Sequence, residues 1–222
     1  VQGTLNMLKA ALERKSAIGK FVYAGSSTYY GANPPPQAED QPPGWQTPYA
    51  MTKYMGEMNC ELFTRLYRLP TIRLRYFMTY GPRQPSTGPY AVVTGVFMRQ
   101  WGNNEPLTIM GDGLQTRDFI HVGDIAEGTV RAYECAATDA TINIGTGEEI
   151  SIRNLAERVR RVVGFEGEIS WDSTKPDGMP RKLLDVHRIL SLGWSPKVSL
   201  SEGLERTYRD FKARWEAGTI VP

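Results

Sequence analysis

Residues 1–14 place Leu5, Leu8 and Leu12 at helical spacing, with Ala10 and Ala11 filling in, so an amphipathic helix is expected there. No capping residue precedes it. Residues 20–25 (KFVYAG) form a short apolar run that predicts a buried strand. Residues 26–48 are rich in proline, glycine and serine and predict a long loop of the kind that carries function. Helical spacing returns over residues 49–68, with Met55, Met58, Leu62 and Leu66 on one stripe, and Pro70 ends that helix. Residues 71–77 predict a further strand.

Strand, helix and strand in that order make a βαβ unit with a right-handed crossover. The pattern continues with a helix over residues 91–101. Strands follow at 107–110 and 117–122, either side of the turn Gly111-Asp112-Gly113. Asp124 is positioned to cap a helix running to about Ala136. A strand at 141–144, a helix capped by Ser151, a strand at 166–171 and a last helix capped by Ser199 or Ser201 complete the chain. The class is α/β. The 222 residues are ample for a core, and 41% hydrophobic with 23% charged residues is an ordinary globular balance. A net charge of +2 gives no nucleic-acid footprint. No apolar run is long enough to span a membrane. The two cysteines, Cys60 and Cys135, are read as small buried hydrophobes. With no recognisable leader, they point to a reducing, cytoplasmic compartment.

In open α/β sheets ligands bind beyond the carboxyl ends of strands, so the residues just after each strand are the first candidates for chemistry. Ser26, Ser27 and Thr28 follow the first strand, and Tyr49 and Lys53 lie four apart at the start of the next helix, on one face. A tyrosine has a pKa of about 10, and acting as a base near neutrality requires a shift of about 3 units. An ammonium one turn away supplies part of that shift, and a serine hydroxyl can hydrogen-bond the phenolate or the reacting oxygen. Such a set can take a proton from a sugar hydroxyl while hydride leaves the same carbon. The spacing recurs at Tyr208 and Lys212, which follow no serine-tipped strand and are read as a solvated helix face. His121 is read as structural, and two distant histidines make no metal site.

The segments FVYAGSSTYYG, PYAMTK, LRYFMTYGPRQ, GDGLQTRDFIHVGD and INIGTGEEISI, in that order, resemble the extended short-chain dehydrogenase/reductase family. Within it they resemble the NAD-dependent sugar-nucleotide epimerases and dehydratases. The resemblance implies a Rossmann-like parallel sheet with a smaller α/β substrate lobe. Residues 1–90 would carry the catalytic part, and 91–222 mainly the lobe, with the strand near 141–144 returning to the sheet. Tyr49 would be the catalytic base and acid, Lys53 would lower its pKa and hold the nicotinamide ribose, and Ser26 would be the hydroxyl partner. Tyr76 and Phe77 would lie beside the nicotinamide. Leu107, Thr108 and Ile109 would flank the nucleotide base, Arg117 would pair with a diphosphate, and Lys175 and Asp177 would reach the nucleotide.

Departures from the family pattern narrow the chemistry. Family dehydratases and decarboxylases carry a carboxylate just after the catalytic hydroxyl residue, where Ser27 and Thr28 stand here. The branch that epimerises next to a ketone uses a cysteine, where Thr28 stands, and a histidine in the stretch near Tyr90, where there is none. The resemblance therefore implies a UDP- or GDP-sugar 4-epimerase, with Thr28 assisting at the sugar hydroxyl. A dehydratase or reductase relative and a non-catalytic binding or dimerisation fragment are the alternatives. Met78 stands where the family's sugar-binding asparagine is usual, so sugar contacts are expected to differ.

The glycine-rich phosphate turn, GxxGxxG or GxGxxG, does not occur in the sequence. The chain is therefore expected to match the back two-thirds of the family fold, to bind NAD weakly and to be inactive as it stands. The strand at 20–25 is expected to be an exposed edge unless something covers it. The helices beginning near Val1 and Tyr49 resemble the family's dimer-forming pair, so a homodimer is expected.

Overall fold

The computed structural model describes residues 1–88, 91–174 and 178–220. Among them the chain divides into two compact units. One comprises residues 1–77, 125–147 and 184–195; the other comprises 78–124, 148–183 and 196–222.

The first unit is built on a parallel sheet of β1 (Phe21–Ala24), β2 (Thr71–Tyr76) and β7 (Thr141–Ile144), in the order β1-β2-β7. Phe21 stands opposite Thr71, and Arg73 opposite Thr141. β1 has β2 as its only hydrogen-bonded neighbour among the described residues, so it is a sheet edge. Helices α1 (Gln2–Glu13) and α2 (Pro48–Tyr67) share a core of Leu8, Ala11, Cys60, Phe63 and Leu69. α2 starts where Thr47 Oγ1 accepts from the Ala50 amide and Pro48 takes the first helical position. It ends at Arg68, whose backbone is left-handed. Gly56 lets α2 lie close over β1, because a Cβ there would come within 2.0 Å of the Tyr23 hydroxyl.

A buried polar network ties the 26–48 segment to this frame. Arg75 Nη2 donates to Glu57 Oε2 (2.8 Å), Arg75 Nη1 to the Tyr30 hydroxyl (2.9 Å), and that hydroxyl to Asn143 Oδ1 (2.7 Å). The guanidinium carbon lies 3.4 Å from the centre of the Tyr29 ring. Helices α4 (Val122–Cys135), most of which belongs to this unit, and α6 (His187–Ser191) complete the set.

The second unit holds β3 (Met78–Tyr80), α3 (Val93–Gly102), β4 (Leu107–Met110), β5 (Thr116–Arg117), β6 (Phe119–His121), β8 (Ile150–Ser151), α5 (Ile152–Val163), β9 (Ile169–Asp172) and α7 (Leu200–Glu216). Its strands pair two by two: β3 with β6, β4 with β9, and β5 antiparallel with β8. Phe97, Leu107, Ile109, Leu155, Val159, Leu204 and Phe211 form its core. Ser151 and Ser199 cap α5 and α7 by accepting from the Asn154 and Glu202 amides.

Several local expectations are corrected. The single strand expected at 117–122 breaks at Asp118, because β5 pairs with β8 and β6 with β3. Asp124 is not a cap: α4 already begins at Val122, and the Asp124 carboxylate is buried in the first turn, accepting from the Lys197 and Val198 amides at 3.1 and 3.0 Å. Cys60 is buried, but Cys135, at the end of α4, is exposed. Met55, Met58, Leu62 and Leu66 do share one stripe of α2, as expected, and that stripe faces solvent, while the inward side is Ala50, Gly56, Glu57, Cys60 and Phe63. Tyr208 is not a solvated face residue, since its hydroxyl donates to the Val163 carbonyl and its ring meets Trp101 edge-on.

Candidate active site

β1 ends at Ala24, and two residues later Ser26 caps a short 3₁₀ turn over Ser27–Tyr30. Ser26 is buried, and its Oγ accepts from the Thr28 amide (3.3 Å) and from Thr28 Oγ1 (2.9 Å). With both of those donors on it, the Ser26 hydroxyl keeps its own proton to donate. The Lys53 ammonium reaches back from α2 to donate to the Ala24 carbonyl (2.9 Å). That bond fixes Lys53 at the carboxyl end of β1, where the sheet geometry favours a ligand.

Tyr49 occupies the first turn of α2 and is 42% exposed. The Lys53 ammonium lies 5.9 Å from the centre of the Tyr49 ring and 5.8 Å from that of Tyr23. Burial pushes the Lys53 pKa down, and the Glu57 carboxylate, one turn further along α2, opposes that and favours the charged form. The first unit thus brings together an accessible phenol, a held ammonium and a donating serine. This is a set that can move a proton at a hydroxyl oxygen.

Tyr76 closes β2, and its hydroxyl shares a hydrogen bond with Thr129 Oγ1 on α4 (2.9 Å), so its polar end is committed within the fold. Phe77 is buried, its amide donating to the Ile144 carbonyl (3.3 Å).

In the second unit Met78 packs against the core. Leu107 and Ile109 are wholly buried in that core, so only their main chain and the side chain of Thr108 are open to a ligand. Thr108 Oγ1 accepts from Ser170 Oγ (3.1 Å). Arg117 is half-buried on β5, and its Nη1 donates to the Thr116 and Met179 carbonyls, each at 2.7 Å. Burial lowers its pKa. Lys175 and Asp177 lie outside the described residues. Among those residues no group of three or more His, Cys, Asp or Glu side chains could hold a metal ion.

Sequence reasoning passed over the Glu57–Arg75 pair. Glu57 was open to view, one turn beyond Lys53 on the same helical stripe as Tyr49.

A parallel-sheet unit carrying a tyrosine–lysine pair beyond a strand end, in a chain whose other unit is built on short strand pairs, defines a Rossmann-like fold of the short-chain dehydrogenase/reductase type. Residues 1–145 match the NAD dependent epimerase/dehydratase family, and the chain belongs to that family. It is 36% identical over 217 residues to GDP-L-fucose synthase 1 of Arabidopsis thaliana, covering 91% of this chain and 66% of that one. The structure superposes on UDP-N-acetylglucosamine 4-epimerase from Methanobrevibacter ruminantium, solved with UDP-N-acetylmuramic acid. The TM-score is 0.90 and the identity 29%, over 96% of this chain and 69% of that one. It also superposes on UDP-glucuronic acid 4-epimerase from Bacillus cereus, solved with UDP-glucuronic acid and NAD. There the TM-score is 0.85 and the identity 33%, over 95% and 66% of the two chains. The chain spans about two thirds of the length of the curated relatives it matches.

Proposed function

We propose that the chain carries the catalytic residues and the nucleotide-sugar lobe of a UDP- or GDP-sugar 4-epimerase. The observation that carries this reading is the Lys53 ammonium anchored on the Ala24 carbonyl, one helical turn from Tyr49 and two residues before Ser26 in the chain. Tyr49 takes the proton from the sugar 4-hydroxyl and later returns it. Lys53 stabilises the phenolate while that proton is away. Ser26 donates to the same sugar oxygen, and Thr28, bonded to it, assists. Thr108 and Arg117 contact the nucleotide and its diphosphate, as do Lys175 and Asp177.

NAD, when bound, would supply a reversible hydride acceptor for the sugar carbon. Lys53 would hold the ribose next to the nicotinamide, with Tyr76 and Phe77 beside the ring. The glycine-rich turn that holds the pyrophosphate of such a cofactor is not among these 222 residues. On this reading NAD binds these 222 residues weakly, so the test below supplies it in excess. The exposed apolar stripe of α2, with Met7 of α1, supports a homodimer.

The Arabidopsis relative favours a second reading, a GDP-L-fucose synthase type of reaction. Thr28 in place of a cysteine weighs against it. Calorimetric titration of UDP- and GDP-sugars into the chain, and NMR of each mixture with NAD supplied, tests both. Binding of a nucleotide sugar with 4-epimer exchange that Tyr49→Phe abolishes is the expected result. A chain that binds no nucleotide sugar, or one that forms a dehydrated product, overturns the reading.

A further inference from the structure

Arg75, on the central strand β2, meets two elements that each carry half of the candidate site. One edge of its guanidinium faces α2: Nε donates to both Glu57 oxygens (3.2 and 3.1 Å) and Nη2 to Glu57 Oε2 (2.8 Å). Glu57 follows Tyr49 and Lys53 at successive helical turns, on one stripe of α2. The rest of the group faces the 3₁₀ turn that Ser26 caps. Nη1 donates to the Tyr30 hydroxyl (2.9 Å) and to the Glu39 carbonyl (3.3 Å). The guanidinium carbon lies 3.4 Å from the centre of the Tyr29 ring and 4.9 Å from that of Tyr30. The Glu57 carboxylate also reaches the chain between the two halves. A Cβ on Gly25 would lie 2.8 Å from Glu57 Oε1, so the carboxylate sits against the residue between Ala24, which accepts from Lys53, and Ser26.

Stability alone does not explain the pair. Both side chains are 5% exposed. Taking two charges out of water offsets most of what their attraction returns, so apolar side chains often replace a buried pair without loss of stability. What they cannot replace is a planar fork whose directed bonds impose one orientation on its neighbours. A second pair on the same strand gives the contrast. Arg73 and Asp139 lie toward the amino end of β2, where the Asp139 amide donates to the Thr71 carbonyl, away from the strand ends that carry the site.

We infer that Arg75 and Glu57 are positioning residues: the pair holds the turn that carries Ser26 and Thr28 in register with the helix that carries Tyr49 and Lys53, and is kept for that geometry rather than for stability. The inference rests on the functional reading above, in which the Ser26 hydroxyl and the Tyr49 phenol meet on one sugar oxygen. Both must come within hydrogen-bond reach of it, and a misplacement of about 1 Å lowers a rate by about a hundredfold. The carboxylate acts on Lys53 as well, favouring its charged form against burial. Tyr23 on β1 and Tyr49 on α2 present their rings to the same ammonium, at 5.8 and 5.9 Å.

The test compares the whole parent chain with Glu57→Gln, with the apolar pair Glu57→Leu and Arg75→Met, and with Arg73→Met as the control. Thermal unfolding reports the fold. Amide hydrogen exchange at Thr28, Tyr29 and Gly31 reports the turn, and NMR titration of the lysines, with Lys53 assigned by Lys53→Arg, reports the ammonium. These readouts need neither NAD nor turnover and decide the inference by themselves. The apolar pair is expected to unfold near the parent's temperature, yet to lose protection in the turn. Lys53 should titrate at a lower pH than in the parent in both Glu57 variants, because the opposite charge is gone. Arg73→Met should leave both signals as they are. If the apolar pair does not fold, Glu57→Gln, which keeps the side-chain volume, carries the comparison. With NAD and nucleotide sugar supplied, kcat for 4-epimer exchange should fall about a hundredfold in the apolar pair while KM stays near the parent's. Unchanged protection and an unchanged Lys53 titration overturn the inference, as do losses that track unfolding temperature equally in Arg73→Met. A turn and a Lys53 that respond, in a chain that binds no nucleotide sugar, support the pair's positioning role and sink the functional reading. Exchange of the sugar at the parent rate in the apolar pair does the reverse.

Discussion

α2 and α7 carry the same tyrosine–lysine spacing on helices of similar length, yet their surroundings differ on every side. On α2, Tyr49 is open at the first turn and Lys53 is tied to the end of a parallel strand. On α7, Tyr208 is packed on Trp101 with its hydroxyl on Val163, and Lys212 is exposed, 3.9 Å from Glu216. Their apolar residues are arranged differently too. α7 turns Leu204 and Phe211 into a core, whereas α2 shows Met51, Met55, Met58, Leu62 and Leu66 to solvent. A motif of two residues acquires chemistry from what each of them meets, not from the spacing that joins them. A helix that turns five methionine and leucine side chains outward is built for something besides its own unit's core.

The largest effect should come from exchanging the two phenols. Tyr49→Phe removes the proposed acid–base group and should lower any 4-epimer exchange measured with NAD supplied by on the order of a thousandfold. Tyr208→Phe should leave that rate unchanged and cost about 1 kcal/mol of stability for its one bond to Val163. Equal losses from the two substitutions would erase the distinction between the helices.

Next in size is the packing contrast. Phe211 is wholly buried, and Phe211→Ala should destabilise the chain by about 3 kcal/mol or more in denaturant titration. Leu66, 59% exposed, should cost under about 0.5 kcal/mol as Leu66→Ala when measured on dilute monomer.

This contrast marks where the sequence was legible. α5 buries Ile152, Leu155, Ala156, Val159 and Val163 and turns its arginines outward, as its spacing predicts. The spacing on α2 is just as regular, but its stripe faces solvent. Its inward face combines Phe63 and Cys60 with Ala50, with Gly56 under Tyr23 and with Glu57 under Arg75. The Tyr49–Lys53 pair was readable because both residues lie within one helical turn. The break at Asp118 and the buried Asp124 were not, since each depends on pairing between segments tens of residues apart.

If the outward stripe on α2 is an interface, charge placed in it should disrupt assembly. Met58→Asp with Leu66→Asp should convert a dimer to a monomer in light scattering, with the fold retained in circular dichroism. A parent chain that stays monomeric at the highest attainable concentration would assign the stripe to something other than self-association.

The smallest effect separates the helices by pH. Cys60, on the inward side of α2, is wholly buried, and burial pushes its thiol from 9.0 up to about 12; Arg73 opposes the shift and Glu57 adds to it. Tyr23 beneath the same helix is likewise raised from 10.0 to about 12, mainly by burial, with Cys60 and Glu57 adding to it. The folded chain keeps these protons where the unfolded chain releases them, so it binds more protons and stability falls as pH rises. The contribution is full below the ordinary pKa of each group and is lost as pH rises toward about 12. α7 instead buries Thr207, which donates to the Gly203 carbonyl (2.6 Å) and does not titrate in this range. In denaturant titrations, stability should therefore decline from about pH 9, and Cys60→Ala should delay that onset by about one unit, to where Tyr23 takes over. Thr207→Ala should lower the whole curve without moving its onset. A Cys60→Ala curve that runs parallel to the parent's from about pH 8 to 11 would show that the buried thiol is not the source.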